Sequence, residues 1–340
     1  MASRIPDRVI AVTVTYGERE NLLCRVIAAA QSEGVSRMVV VDNGAGWPLS
    51  NNLGTEFGEF VNIVVMGRNT GSAGGFAAGI GRALELGADH VWLLDDDNRP
   101  EAGCLNVLLD ALEQQNPGNE TGLFAVQASR SAHRASTESS PATHARKNGF
   151  LGFHVADMAR KLRRLTPRGK SHNQGKQSLT FDVPVAPYGG LLMHRSTIEA
   201  IGLPREDFVL YADDLEFTYR ITERGGRIVK VTNARIEDLE RSWDSGNQSR
   251  SSFGILLAEG SDLQAWYGVR NRVYFEANSL RTNRPLFYAN ATMQLAILGA
   301  IALLSGKWNR YRLVHGATRD GLSGRLGLHP DFPLNKDGES

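Results

Sequence analysis

The chain has 340 residues, a formal net charge of +1, 22% charged and 41% hydrophobic residues. That is an ordinary globular composition, long enough for one large domain with extensions and a sizeable core, and its balanced charge argues against nucleic acid as a partner. Cys24 and Cys104 are far apart without metal-ligand spacing and read as reduced, packed thiols, and Met1 to Pro6 carries no apolar signal segment, so the expectation is a chain that starts in the cytosol.

Val9 to Tyr16 is rich in β-branched residues and predicts a first strand, ended by Gly17. Glu20 to Ala30 has helical periodicity, with Leu22, Leu23, Val26, Ile27 and Ala30 available for one face. Met38 to Val41 predicts a second strand closing on Asp42-Asn43-Gly44, and Val61 to Met66 a third, followed by Gly67-Arg68-Asn69-Thr70-Gly71. Ala73 to Leu86 is helix-like despite its glycines, which suit either tight helix-on-sheet packing or the approach of backbone N–H groups to a phosphate or sugar. His90 to Leu94 is the central strand, and it runs straight into Asp95-Asp96-Asp97 before Pro100 breaks the segment. Three adjacent carboxylates repel one another, so the fold must place positive charge among them. The triplet reads either as a solvated acidic turn or, ending an apolar strand as it does, as a site whose hard carboxylate oxygens suit Mg²⁺ or Mn²⁺ shared with a diphosphate.

Unbroken apolar strands alternating with helices predict an α/β fold with a doubly wound, mostly parallel central sheet. Ligands bind such sheets beyond the C-terminal strand ends, where Tyr16, Asp42, Asn69 and Asp95 to Asp97 all fall. A nicotinamide dinucleotide site is rejected, because the first turn, Tyr16-Gly17-Glu18-Arg19, lacks the glycines of that fingerprint. From Ser129 to Gln177 the composition turns basic and polar, with Met158 to Leu165 as a short basic helix; a solvated excursion and an electrostatic contact with anionic lipid are both open. Order returns at Phe181 to Pro187 and in Tyr188-Gly189-Gly190 before the strand Leu191 to Arg195. Asp213-Asp214-Leu215-Glu216 then opens a helix running to Glu223, either as capping acids or as a general base at the same rim.

Val12 to Tyr16, Val41 to Asn43, Asn69 to Phe76, Asp95 to Asp97 and Asp213 to Glu216 together resemble the family 2 glycosyltransferases of the GT-A fold. Among them the chain most resembles galactofuranosyltransferases and rhamnosyltransferases that build bacterial envelope glycans, over roughly residues 8 to 275. The resemblance implies donor contacts at Thr15, Tyr16, Asp42, Asn69, Asp95 and Asp96, with Tyr16 and Asp42 holding base and ribose. It implies a divalent metal, Mn²⁺ or Mg²⁺, on Asp95 and Asp97, with Asp97 favoured as the direct ligand. Asp214 is implied as catalytic base, and Gly190, Asp213, Glu216 and Trp243 as the acceptor side, with Asp244, Arg270 and Asn271 in neighbouring regions. Members often carry a metal-binding histidine after the next strand; here that position falls on Glu237 or Asp238, and both remain open.

The resemblance further implies inverting transfer from a nucleotide-sugar, a UDP-sugar favoured and a dTDP-sugar the alternative, to a glycan or lipid-linked glycan. The sequence is thus expected to divide into a catalytic domain over residues 1 to 275 and a helical C-terminal region over 276 to 340. In the latter, Leu286 to Leu304 is the most apolar stretch but includes Asn290, Thr292 and Gln294. A packed or homo-oligomer-forming helix and an interfacial one are both open, since Lys307, Arg310, Arg312, Arg319 and Arg325 follow. The interfacial option places the protein peripherally on the cytoplasmic face of a membrane. Two rivals remain: a sugar-phosphate nucleotidyltransferase, and a silent binding or scaffold subunit on the same fold.

Overall fold

The computed structural model describes residues 8–114, 121–127, 145–157, 179–240, 253, 256–257 and 260–334. They form two compact units: the described residues of Met1–Pro141, Leu179–Trp243 and Gly327–Ser340, and those of Ala142–Ser178 and Asp244–Leu326.

In the first unit, strands β1 (Val9–Gly17), β2 (Arg37–Ala45), β3 (Val61–Val65) and β4 (His90–Leu93) are mutually parallel in the order β3-β2-β1-β4. The sheet continues through β8 (Leu191–His194), antiparallel to both β4 and β6 (Thr121–Gln127). It ends on the long β9 (Arg227–Asp238), parallel to β6, against whose two ends β7 (Thr180–Val183) and β5 (Asn98–Pro100) pair antiparallel. Strand alternation explains the two-sided burial. Val9, Ala11, Met38, Val40 and Trp92 face one core with helices α1 (Glu20–Ser32), α2 (Leu49–Phe57) and α4 (Cys104–Gln114). Ile10, Val12, Val39, Val41 and Leu93 face the other, with α3 (Gly71–Glu85), α5 (Arg195–Ile201) and α6 (Asp213–Glu223). Cys24 and Cys104 are free thiols in this unit, and burial pushes Cys104 up to about 12.

The expected doubly wound, mostly parallel sheet is therefore present, and three local expectations need correcting. Helix α2 lies between β2 and β3 where no helix was predicted; Pro48, two asparagines and Gly54 weaken its signal, leaving only Leu49 and Leu53 buried. The strand that the sequence suggests over Arg227 to Val231, after α6, continues to Asp238, bending through a register shift beside Ala125 and Val126. The order expected over Phe181 to Pro187 is a strand only as far as Val183. The glycines of α3 settle in favour of packing, since Gly75 and Gly79 lie against Val14 and Val12 of β1.

In the second unit, α7 (Asp262–Phe275) runs on through one π-helical turn, Glu276–Leu280, to α8 (Arg284–Leu304) and α9 (Trp308–Leu322). Asn283 caps α8, accepting from Leu286 N at 3.0 Å, and Pro285 supplies a preset φ in the first turn. Asn290, polar in an apolar stretch, is fully buried; its amide donates to Asn148 O at 2.8 Å and its carbonyl accepts from Val155 N at 2.9 Å. Helix α8 is long and apolar enough to cross a membrane, yet it leaves Tyr288, Met293, Ile301, Leu303 and Leu304 exposed along one side. The predicted helix Met158 to Leu165 lies outside the described residues, as does most of the basic segment.

Candidate active site

The acid triplet follows β4 directly. Leu94 still donates to Val12 O at 3.0 Å, after which the chain turns, closed by Asn98 N on Asp95 O at 3.0 Å, and enters β5. Asp96 is buried: its Oδ2 accepts from Thr15 Oγ1 at 2.7 Å, and Arg19 Nε donates to both its oxygens at 3.0 and 2.9 Å. The same guanidinium reaches Asp97 Oδ2 at 3.2 Å and Glu240 Oε1 at 3.0 Å, and lies 5.6 Å from the Tyr16 ring centre. The other side of the triplet is gathered by Asn98, whose buried amide donates to Asp95 Oδ2 and Asp97 Oδ1, both at 2.8 Å. Gly189 leaves room for this arrangement, since a Cβ there would sit 2.6 Å from Asp95 Oδ2. Gly190, with φ +86°, donates to Leu93 O at 2.8 Å and packs against Ala125.

Charge crowding has measurable consequences. Burial and the charges of Asp97, Asp96, Asp214 and Asp213 all push the Asp95 carboxyl up, to about 8. Burial and Asp96 raise Asp97 to about 6, with Arg19 opposing and Asp238 and Glu240 adding to the rise. Asp96 is raised by burial against the pull of Arg19 and Thr15. Burial works against the charge on Arg19, but Asp96 and Glu240 outweigh it and hold the guanidinium protonated.

A second acidic group arrives through a strained loop. Val209, Tyr211 and Ala212 all have left-handed φ, at 66°, 66° and 60°, which is costly for residues bearing a Cβ. Val209 O accepts from Ala73 N at 3.2 Å, and Gly71, at φ +79°, must be glycine because a Cβ would lie 1.9 Å from that carbonyl. The loop delivers Asp213 and Asp214 to the first turn of α6. Asp213 is buried and accepts from Ser72 Oγ at 2.9 Å. Burial and the neighbouring Asp214 push its pKa well above the usual carboxylate range. Beneath it lies Tyr188, its ring 4.2 Å from Phe76 and 6.0 Å from Phe217, its hydroxyl raised by burial and by Asp213. Asp214 Oδ1 accepts from Leu215 N at 2.8 Å. Glu216 instead pairs with Arg220 one turn on, and Arg220 also donates to Ile201 O and Leu203 O at 3.0 and 2.9 Å.

At the other end of the rim Tyr16 is 41% exposed, an open aromatic face beside Arg19. Asp42 Oδ1 closes its own turn, accepting from Gly44 N and Ala45 N at 3.1 and 2.9 Å. Buried Asn43 fixes the loop before α3: its Oδ1 accepts from Thr70 N and Oγ1 at 2.9 Å, and its amide donates to Gly71 O at 3.0 Å and Asn69 Oδ1 at 3.2 Å. Tyr16, Asp42, Asn69 and the triplet thus all sit at the C-terminal ends of parallel strands. Trp243 and Asp244 lie outside the described residues, and Arg270 and Asn271 are buried in the second unit, bonded to each other at 2.9 Å. Arg19, Asn43, Ser72, Asn98 and Tyr188 were not singled out from sequence. Of these only Arg19 had a signal, the requirement for positive charge among the acids.

The donor set fits a hard divalent cation. Asp95 and Asp97 turn one oxygen each to a shared amide, while burial and the neighbouring carboxylates oppose bare negative charge on Asp95. Among the described residues no group of three or more His, Cys, Asp or Glu side chains is placed to hold a metal ion, so an ion on Asp95 and Asp97 would need diphosphate oxygens and water to complete its shell. Strand pairing separates the two acids at the histidine position. Asp238 stands opposite Asn98 and shares its face, whereas Glu237 stands opposite Arg99 and forms an ion pair with it on the other face.

The sequence model of the family described as "Glycosyl transferase family 2" matches residues 10–201. Galactofuranosyltransferase GlfT1 of Mycolicibacterium smegmatis is 29% identical over 223 residues, 64% of this chain and 66% of that protein. The chain thus spans just under two thirds of that relative's length. The dTDP-rhamnosyl transferase RfbF of Shigella flexneri is 23% identical over 326 residues, 94% of this chain and 97% of that protein. Among solved structures, GalNAc-T7 with UDP, GalNAc and Mn²⁺ superposes with a TM-score of 0.54 at 14% identity, over 93% of this chain and 57% of that one, a likeness of fold. The sheet is the GT-A-like one that the sequence led us to expect. The chain belongs to glycosyl transferase family 2.

Proposed function

We propose that the protein transfers a sugar, galactofuranose or rhamnose favoured, from a nucleotide-sugar to a hydroxyl of a growing, lipid-linked cell-envelope glycan, with inversion at the anomeric carbon. The observation that carries this reading is that two acid groups border one short stretch of chain: Gly189 lies against the Asp95 carboxylate after β4, and its neighbour Tyr188 lies against Asp213 at the start of α6. Relatives named for galactofuranosyl and dTDP-rhamnosyl transfer support the choice of sugars.

In this mechanism Tyr16 and Asp42 hold the nucleoside, with the exposed Tyr16 ring under the base, and Asn69 borders the sugar; Thr15, expected at the donor, is fully buried with its hydroxyl on Asp96 and supports the triplet instead. Asp95 and Asp97 would hold Mn²⁺ or Mg²⁺, with Asp238, on their side of β9, in support. A divalent cation bound there supplies charge neutralisation for the departing diphosphate. Asp214 accepts the proton of the acceptor hydroxyl as its oxygen attacks the anomeric carbon from the face opposite the diphosphate. The new carbon–oxygen bond forms as the bond to phosphate oxygen breaks, and the nucleoside diphosphate leaves with that electron pair. Asp213, pinned by Ser72, keeps the start of α6 in place and adds to the acceptor side with Gly190 and Glu216.

The helical region then serves as a peripheral membrane contact. Its exposed Tyr288, Met293, Ile301, Leu303, Leu304 and Trp308 lie between exposed Arg284 and Arg312, a composition suited to an anionic lipid surface. The test is a thermal-shift screen of UDP-, dTDP- and GDP-sugars with and without Mn²⁺, run beside flotation with anionic vesicles. Mn²⁺-dependent stabilisation by a UDP- or dTDP-sugar is expected, and identifies the donor; no response to any nucleotide would overturn the reading. Protein that stays in the vesicle-free fraction would remove the membrane role.

A further inference from the structure

Arg19 is the positive charge that the acid triplet requires, and its contacts are unequal. Asp96 is closed on both oxygens, by Nε at 3.0 and 2.9 Å and by Thr15 Oγ1 at 2.7 Å. Nη1 binds Glu240 at 3.0 Å. Asp97 receives only Nη2, on one oxygen, at 3.2 Å, the longest of the set, while Asn98 serves its other oxygen at 2.8 Å. A guanidinium presents a rigid fork of donors and does not give up its proton, so nothing can take its place on an acid except by displacing it. Turning the Asp97 carboxylate away from Nη2 would leave the fork and its Asp96 and Glu240 contacts standing, and so costs least where the contact is longest.

We infer that Arg19 is a resident counter-cation and positioning residue: it locks Asp96 as a structural anchor and yields Asp97 to an incoming divalent ion. The inference rests on the reading of Asp95 and Asp97 as metal-holding acids and adds what occupies Asp97 before the ion arrives. It also separates the three acids by role, since Asp96 is buried with both oxygens turned to Arg19 and Thr15 rather than to the rim. Its sign is distinctive. A mere prop, once removed, loosens the site and weakens metal binding, whereas removal of a competing cation strengthens it.

The experiment is Mn²⁺ titration of the full chain by the EPR signal of free Mn²⁺, with UDP and separately with dTDP present. The proteins are wild type, Arg19→Gln, Arg19→Lys and Asp97→Ala. Losing one positive charge close to the ion should tighten Mn²⁺ binding about tenfold in Arg19→Gln. A lysine keeps the charge on Asp96 but loses the fork that reaches Asp97, so binding should tighten about threefold. Equal or weaker Mn²⁺ affinity in the glutamine variant overturns the inference; should that variant fail to fold, the lysine variant decides by the same rule. Wild type binding Mn²⁺ no more tightly than Asp97→Ala would instead sink the metal reading itself, and the inference with it.

Discussion

The acids after β4 are held by a cation, a hydroxyl and a buried amide, namely Arg19, Thr15 and Asn98. Those at the start of α6 are held by the Ser72 hydroxyl and by their place at a helix N-terminus, above the buried ring of Tyr188. Buried Asp213, like buried Asp96, is desolvated, and Arg19 gives the triplet a resident cation. The difference indicates a division of labour. A group already organised about a cation is suited to holding one, and a group raised by burial and by its own neighbours is suited to holding a proton.

The largest break in this comparison is Asp214→Asn. It removes the proposed proton acceptor and no side chain of the triplet, so turnover should fall by about 10²- to 10⁴-fold while UDP or dTDP with Mn²⁺ binds no more weakly than to wild type, since a charge that opposes ionisation of Asp95 has been lost. Single-turnover transfer beside nucleotide titration checks both halves. Wild-type turnover would remove Asp214 as the base.

A second test uses pH. Burial and like charges raise Asp95 to about 8 and Asp97 to about 6, above the ordinary carboxylate value. Between the unfolded value, about 4, and those folded values the native protein binds more protons than the unfolded chain. Stability without metal should therefore fall as pH rises from about 4 through 6 to 8. Mn²⁺ must displace the same protons, so its affinity should climb over pH 6 to 8 and its stabilising effect should grow. Thermal unfolding across that range, with and without Mn²⁺, reads both slopes. Stability without metal that rises with pH would contradict the carboxylate environments described here.

How much of this was legible in the sequence depended on the range of the interactions. The unbroken apolar runs of β1, β2 and β4 and the Leu23, Val26, Ile27, Ala30 stripe of α1 are local patterns, and they located the sheet and its rim correctly. Helix α2 was missed because tertiary burial of Leu49 and Leu53 outweighs the poor propensity of Ser50-Asn51-Asn52 and Gly54. The candidate acids were legible because they punctuate strand ends. Their partners were not: Arg19 meets Asp96 across 77 positions, and Ser72 meets Asp213 across 141. Nothing local marks Tyr188, since its neighbour Asp213 lies far along the chain. Nor could Glu237 and Asp238 be told apart until the pairing of β5 with β9 assigned each to a face.

The smallest expected effect probes the least supported acid. Ser72→Ala removes the hydroxyl that donates to buried Asp213, at a cost of about 1 kcal/mol in unfolding free energy. Asp213 would then hold a proton more readily, which lowers the negative charge beside Asp214 and Asp95 without altering either side chain. Turnover should fall only about threefold, since an uncharged hydrogen bond rather than the reacting acid has been lost. Urea unfolding and steady-state kinetics on the same preparation separate the two effects. A loss of turnover as deep as that of Asp214→Asn would shift the proton-accepting role to Asp213 and make Ser72 its support. A modest loss keeps Asp213 as the residue that holds the start of α6, and leaves the chemistry to Asp214.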